Sequence, residues 1–330
     1  MLIPEFWAEA RVRHRGTDAR GRNRQWTVRR FGWSQFSQAD AEAMAQQRAD
    51  AALQRIMAGE SLPRREAKVP YNGADGLPIR EEVLERLEHG AVVTRNSYGA
   101  HCLNTPDVLF ADLDFDPDAG DRITKVLIWV TLVLLGLTVW RFGFLHAVAV
   151  LTVMLVIMTT LAWRRRQTQD ALRERWFVEA QQRVEATAQG DPNALLALYR
   201  TPMGLRVLAL HRQFDPDSTE VAELFKAWQV DRQYSAMCRR QQCFRARLSG
   251  KPWRMGIGDP MRPRPGVWPI APERQAERDH WVSAYESQAR AFAACHCIGL
   301  FGAGQADPTA SRIREIHDQR CRSESALPLA

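Results

Sequence analysis

The sequence predicts an α+β protein in which a cytoplasmic mixed sheet-and-helix domain is interrupted by a transmembrane helical hairpin. Residues 126–163 are almost entirely apolar, and Arg141 and His146 are the only ionisable residues among them. Segments with strand-like and helix-like patterns lie on both sides of this stretch. We therefore expect residues 61–122 and 164–330 to form one domain, with the hairpin at 123–163 inserted into it.

The apolar stretch is long enough for two membrane crossings. One helical crossing needs about 20 apolar residues, whereas a helix buried in a protein core is usually shorter. Arg141 and Gly143 provide a break, which predicts spans at 123–141 and 144–163. The alternative is a pair of helices buried in a large core.

Basic residues around the stretch predict its orientation. Arg122 and Lys125 precede it and Arg164–Arg166 follow it, while the connecting turn contains Arg141 alone. The positive-inside rule then places both termini in the cytoplasm, as in a multi-pass protein of the inner membrane in contact with membrane lipid. The first residues, MLIPEFWAEARVRHR, lack the apolar core of a signal peptide, and six cysteines without an export signal indicate reduced thiols.

Residues 1–60 predict a basic β-hairpin followed by a helix. FWAEARVRHR and RQWTVRRFGW alternate as strands do, and Ser37 with Asp40 indicates a helix start. The helix has a face of mainly small residues that begins at Ala41 and ends at Ile56. The strands and turn are rich in arginine, in a chain of net charge +7, so they fit either a nucleic-acid-binding sheet or a solvated hairpin.

Residues 61–122 begin with a Pro- and Gly-rich linker and then predict a helix, IREEVLERLEHG. Strand-like segments AVVTRNS, YGAHCLNT and DVLFADLDFD follow. Asp112 and Asp114 alternate with apolar residues in the last of these, so their carboxylates lie about 7 Å apart on one face of a strand. Such a pair could hold Mg²⁺ or Mn²⁺, and the alternative is an exposed strand end that leads into a loop.

Residues 164–330 predict a charged helix, two apolar strands (ALLALYRT and GLRVLALHR), further helices and the short strand CFRARLS. Ser218 is a plausible helix N-cap. A proline-rich loop and a long helix from 273 to 297 come next, and GLFGAGQ reads as a turn that ends this helix.

Soft metal ligands are concentrated near the C-terminus. The C-x-C pair and the H-x3-C pair supply enough ligands for tetrahedral zinc: Cys295, Cys297, His317 and Cys321. The alternative is that these cysteines are buried and bind no metal.

DVLFADLDFD resembles the first motif of the archaeo-eukaryotic primase-polymerase superfamily, and TPMGLRVL resembles its second. CFRARLSGKPWR resembles a later arginine-bearing strand of some members. The resemblance implies that Asp112 and Asp114 hold a catalytic metal and that Arg206, Arg245 and Lys251 face nucleotide phosphates. In architecture the chain also resembles a family of uncharacterised bacterial two-span membrane proteins.

Two hypotheses for function follow. The first is an integral inner-membrane protein whose cytoplasmic domain is a scaffold or binding module for nucleotide, nucleic acid or a protein, with a degenerate primase-polymerase-like fold. The second is a metal-dependent enzyme of nucleotidyl or phosphoryl transfer at the membrane. The aspartate row favours the enzyme. The lack of a third acidic motif and of the superfamily's histidine favours the non-catalytic module.

Overall fold

A computed structural model describes residues 1–17, 21–66, 77–115, 129–131, 144–264, 266 and 268–330. The strands in this part of the chain are β1 (Phe6–Thr17), β2 (Asn23–Ser34), β3 (Glu82–Arg86), β4 (Val92–Arg95), β5 (His101–Thr105), β6 (Phe110–Asp114), β7 (Leu196–Arg200), β8 (Gly204–Ala209), β9 (Phe244–Arg247) and β10 (His296–Phe301). The α-helices are α1 (Gln38–Met57), α2 (Phe144–Gly190), α3 (Thr219–Trp228), α4 (Arg232–Gln241), α5 (Gln275–Ala289) and α6 (Pro308–Cys321). The described chain is therefore an α+β protein.

The chain divides into two compact units. The first unit contains Met1–Leu113 and Glu185–Ala330, and the second contains Asp114–Val184. All three sheets lie in the first unit, apart from the last residue of β6. One sheet is the ribbon β1-β2, and the other two have the strand orders β10-β7-β8-β6 and β3-β4-β5-β9.

The N-terminal ribbon and its helix form as the sequence predicts. The Ser37 side chain accepts a hydrogen bond from the Asp40 N–H and so caps α1. The small face of α1 is buried, and it approaches the ribbon so closely that a Cβ at Gly32 would lie 2.2 Å from both the Ala41 carbonyl oxygen and the Ala45 nitrogen. Small residues on the helix and glycine on the strand make this close packing achievable.

The two four-stranded sheets meet at Tyr234 of α4. Its buried hydroxyl lies 2.8 Å from the carbonyl oxygens of both Phe110 in β6 and Arg245 in β9. Burial raises the pKa of this hydroxyl well above its ordinary value, so Tyr234 stays protonated and can donate to these carbonyls. The edge strands β6 and β9 are thus linked through one side chain.

The helix predicted for IREEVLERLEHG is wrong. Residues Glu82–Arg86 form β3, which pairs antiparallel with β4, and only Glu88–Gly90 adopt a short 3₁₀ turn. The glutamates, leucines and arginines of this segment favour a helix only weakly. Antiparallel pairing with β4, whose residues are all buried, stabilises the strand more.

The prediction of a transmembrane hairpin is also wrong. Across the described residues, none of the helices has the combined length and apolarity that crossing a bilayer requires. The first predicted span, 123–141, lies outside the described residues except for 129–131. The second, 144–163, is the first part of α2, which continues to Gly190 through the charged segment that the sequence also predicts to be helical.

The predictions that depended on the hairpin fail with it. These are the interruption of the domain by a membrane segment, the location in the inner membrane with both termini in the cytoplasm, and the two functions assigned at a membrane. Several apolar side chains in the first part of α2 are exposed in the structure: Val148, Leu151, Leu155, Ile157 and Trp163.

Candidate metal centre

Helix α6 presents two of the predicted zinc ligands on one face. Asp307 caps the helix by accepting a hydrogen bond from the Ala310 N–H, and Pro308 occupies its first turn, as is common at helix starts. His317 and Cys321 are four residues apart, so their side chains lie one turn apart on the same face. Both are completely buried.

The backbone before β10 brings a third ligand to this face. The Ala294 N–H donates to the Cys321 carbonyl at 3.0 Å, so Cys295 lies beside the end of α6. Within the described part of the chain, Cys295 Sγ, a His317 ring nitrogen and Cys321 Sγ form a group whose atoms all lie within 4.8 Å of one another. A Cys295, His317 and Cys321 cluster that could hold a metal ion is therefore present.

The spacing of these atoms fits a tetrahedral ion. Cys295 Sγ lies 3.9 Å from His317 Nε2. Ligand bonds of about 2.3 Å to sulfur and about 2.0–2.1 Å to nitrogen, at tetrahedral angles, separate sulfur from nitrogen by about 3.6 Å. The two atoms would need to approach by only a few tenths of an ångström.

The surroundings of His317 orient its ring for this role. Nδ1 lies 2.8 Å from Asp318 Oδ1, and a proton on Nδ1 leaves Nε2, 3.9 Å from Cys295 Sγ, as the nitrogen that could bind an ion. The ring is held between Phe110 and Tyr199, with centroid distances of 5.2 and 4.7 Å. Burial alone would raise the pKa of Asp318, but the hydrogen bond and charge of His317 and the charge of Arg314 lower it. Asp318 therefore stays a carboxylate that accepts from the histidine.

Arg206 connects this cluster to the aspartate strand. Its Nε and Nη2 lie 2.7 and 3.2 Å from the two oxygens of Asp112, and Nη1 donates to the Arg247 carbonyl at 2.8 Å. Nη1 also lies 3.3 Å from His317 Nε2. Arg206 and His317, which the sequence analysis assigned to different sites, thus belong to one buried cluster.

The two cysteines of the cluster differ in acidity. The Cys321 thiol hydrogen bond, followed by the charges of His317 and Arg206, lowers the pKa of Cys295 well below its ordinary value, whereas burial raises that of Cys321. Burial alone would lower the pKa of His317, but the charge of Cys295 and the hydrogen bond to Asp318 raise it overall. Binding a divalent cation would therefore displace protons from His317 and Cys321.

The order Cys295, His317, Asp318 also resembles a thiol nucleophile with its base and orienting acid. Nucleophilic catalysis requires that a substrate reach the sulfur atom. Cys295 is 0% exposed, and so is Cys321 beside it. Burial therefore favours ion binding over covalent catalysis.

A cavity of about 630 Å³ lies on the outer side of this cluster. Asp318 and Arg314 form part of its wall, together with Leu195, Leu300 and Arg322. Because Asp318 lines this cavity and contacts the His317 ring, it lies between the cavity and the ligand cluster.

The other predicted site residues lie elsewhere. Arg245 forms a mostly buried ion pair with Glu81. Lys251 precedes a 3₁₀ turn, with its Nζ 5.6 Å from the centroid of the Trp253 ring. Asp114 is exposed at the end of β6. Cys297 is half-buried and is not among the three grouped ligands.

Sequence reasoning missed two contributors. Asp318 directly follows His317, and a carboxylate adjacent to a candidate histidine ligand is a signal that could have identified it. Glu81, the partner of Arg245, lies in the segment predicted as a helix, and no local pattern indicated its pairing across 164 residues.

The chain matches no family model, and searches of curated proteins and of solved structures found no match either. The proposed function therefore rests on the geometry of the site.

Proposed function

We propose that this protein binds one zinc-class divalent cation through Cys295, His317 and Cys321, and that the cation holds the C-terminal helix in place. The observation that carries the proposal is the grouping of three completely buried ligand atoms within 4.8 Å. Two come from α6 and one from the segment before β10, so one ion would connect two successive elements through ligands, Cys295 and His317, that are 22 residues apart.

The donor set favours a soft or borderline metal. Thiolate and imidazole ligands suit Zn²⁺ and Cu⁺, whereas Mg²⁺ and Mn²⁺ prefer oxygen. Two sulfur atoms and one nitrogen therefore support zinc over the magnesium or manganese expected at the aspartate row. The hydrogen bond between His317 and Asp318 is the supporting contact that zinc-binding histidines usually make.

The cation would have a structural role. Buried zinc sites contribute directly to folding, because the site does not exist in the unfolded chain. The Cys321 Sγ also lies 3.5 Å from the carbonyl oxygen of Arg247 in β9, so the ligands lie where α6 meets the sheets. Removing the ion is expected to loosen α6 and the segment around Cys295.

The test is metal content and metal-dependent stability of the full chain. The purified protein is analysed by mass spectrometry of its metals, then stripped with a chelator and reconstituted with Zn²⁺ or Co²⁺. We expect one ion per chain, and cobalt spectra with thiolate charge-transfer bands and strong tetrahedral d–d bands. Cys295→Ser and Cys321→Ser should each lose most of the bound metal.

Cys297→Ser is the matched control, because Cys297 is two residues from Cys295 and outside the group. It should retain one ion per chain. Absence of bound metal in the wild type after reconstitution would refute the proposal, and so would equal loss of metal in the control. Detection of copper in place of zinc would support the site and change only the identity of its metal.

A further inference from the structure

The outward face of the N-terminal ribbon carries a row of arginines. In the pairing of β1 with β2, Arg11 lies opposite Arg29, Arg13 opposite Thr27, and Arg15 opposite Gln25. Side chains of directly opposed residues share a face of the sheet, and successive members of the row are about 7 Å apart. We call this whole side of the ribbon the ribbon face.

The opposite side of the ribbon is covered by α1. Val12, Trp26 and Val28 pack there against Ala52 and Leu53 of the helix. The period-two pattern of the strands therefore places apolar groups against the helix and leaves the arginines exposed to solvent.

The three arginines of β1 are available to a ligand. Arg11 and Arg13 are exposed, and in the described part of the chain neither forms an ion pair with an acidic group. Arg15 donates to the amide oxygen of Gln25 at 3.3 Å and, among the described residues, forms no ion pair. By contrast, Arg29 is neutralised by Glu9 near the base of the ribbon. The positive charge is thus concentrated toward the outer half.

The base of the ribbon is rigidly attached. Glu66 accepts from the Phe31 N–H at 2.7 Å and pairs with Arg48 of α1 at 2.7 Å. Because Gly32 lies against α1 without space for a Cβ, the ribbon and helix pack as one body. The arginine row is therefore held in a preorganised line, which limits the entropy lost on binding.

From this geometry we propose that the ribbon face binds the phosphate backbone of double-stranded nucleic acid. A two-stranded ribbon has the dimensions of a major groove, and helices packed behind such ribbons leave one face free to enter it. Three arginines in a row of about 14 Å match about four base-pair steps of 3.4 Å along one strand. Arginine forms bidentate hydrogen bonds to phosphate.

The aromatic residues favour a duplex over a single strand. Binding of single strands relies on exposed rings on which bases stack. On the ribbon face Trp7 and Phe31 are buried, and the ring of Trp33 is covered by the Arg48 guanidinium at 4.7 Å from its centroid. Among its described residues, the ribbon face thus presents a line of positive charges and no exposed ring on which a base could stack. We expect a binding affinity that depends on salt concentration and not on base sequence.

The test compares two triple variants of the full chain. The ribbon variant is Arg11→Gln/Arg13→Gln/Arg15→Gln. The control, Arg232→Gln/Arg239→Gln/Arg240→Gln, removes equal charge from exposed positions on α4. Fluorescence anisotropy with a 20-base-pair labelled DNA duplex gives the dissociation constant between 50 and 200 mM NaCl, and circular dichroism confirms that each variant is folded.

Each phosphate contact contributes about 0.9 to the slope of log K against log salt, so the ribbon variant should lose about 2.7 of this slope. Between 50 and 200 mM salt, that loss corresponds to about a 40-fold change in affinity. The control should keep the wild-type slope.

Four outcomes would overturn the proposal. They are absence of duplex binding by the wild type, an equal loss in both triple variants, tighter binding to a single strand of the same length, and binding to vesicles with anionic headgroups that depends on the same arginines as strongly as duplex binding does. The last would identify a general anionic surface as the ligand. Metal content is unaffected by these variants, so this proposal and the proposed metal site fail independently.

Discussion

Replacing Asp112 by Asn should destabilise the protein through the buried guanidinium that it leaves behind. The Arg206 side chain is 2% exposed and that of Asp112 is 26% exposed, and the two form a bidentate pair. Removing one partner of a buried pair usually costs about 3–5 kcal/mol. Because Asp112 is partly exposed and Asn keeps one acceptor for Arg206 Nε, we expect a loss of about 3 kcal/mol in the free energy of unfolding.

Urea unfolding followed by circular dichroism measures this change, with the slope m compared between variants to confirm that the same transition is observed. Asp217→Asn is the control, since Asp217 is exposed, and it should change stability by less than about 0.5 kcal/mol. The double variant Asp112→Asn/Arg206→Gln should recover part of the loss, because the unpaired charge is then gone. A change below about 0.5 kcal/mol for Asp112→Asn would show that Arg206 does not depend on this carboxylate.

Three further perturbations test other parts of the fold. Gly32→Ala should lower the free energy of unfolding by about 2–3 kcal/mol, because the new methyl group meets the α1 backbone, while Gly258→Ala, where nothing lies within 4 Å, should have little effect in the same urea titration. Tyr234→Phe should cost about 1–3 kcal/mol, since two buried carbonyls lose their shared hydroxyl, and thermal unfolding that matches the wild type would contradict this. Burial raises the pKa of Glu286, but His101 and neighbouring charges lower it overall. The contribution of Glu286 to stability is therefore present above its unfolded-state pKa and is lost as the pH falls through its folded-state pKa. The stability difference between wild type and Glu286→Gln should shrink in urea titrations at acid pH.

Local patterns were sufficient for several elements. Ser37 and Ser218 cap α1 and α3 as predicted, because a hydroxyl before an apolar period satisfies the first free N–H groups of a helix. The alternation around Asp112 correctly indicated β6. In these cases the residues that decide the structure lie within a few positions of one another.

Other features depend on partners that are distant in sequence. Glu82–Arg86 forms a strand because it pairs with β4. The segment GLF was expected to form a turn that ends a helix, but it lies in β10 because it pairs with β7. The predicted spans are wrong because no helix in the described residues combines the length and the apolarity that a bilayer crossing requires. The metal site was predicted in part. The cysteine and histidine pairs indicated Cys295, Cys297, His317 and Cys321 as zinc ligands, whereas the grouping of Cys295 with His317 and Cys321 depends on the backbone hydrogen bond from Ala294 to Cys321.

The roles predicted for Asp112, Asp114, Arg206, Arg245 and Lys251 stay predictions. Pairing of Arg206 with Asp112 occupies both groups with each other. The proposed function therefore uses the sulfur and imidazole ligands beside Arg206.

X-ray absorption spectroscopy at the zinc edge of the reconstituted full chain tests the central claim most directly. We predict that the first coordination sphere of the zinc contains two sulfur atoms at about 2.3 Å and one imidazole nitrogen at about 2.0–2.1 Å. In Cys321→Ser most of the zinc should be lost, and the sulfur signal per remaining ion should fall by half, whereas Cys297→Ser should leave both the zinc content and the sulfur signal unchanged. A sphere of only nitrogen and oxygen atoms, or one that loses sulfur when Cys297 is replaced, would contradict a site built from Cys295, His317 and Cys321.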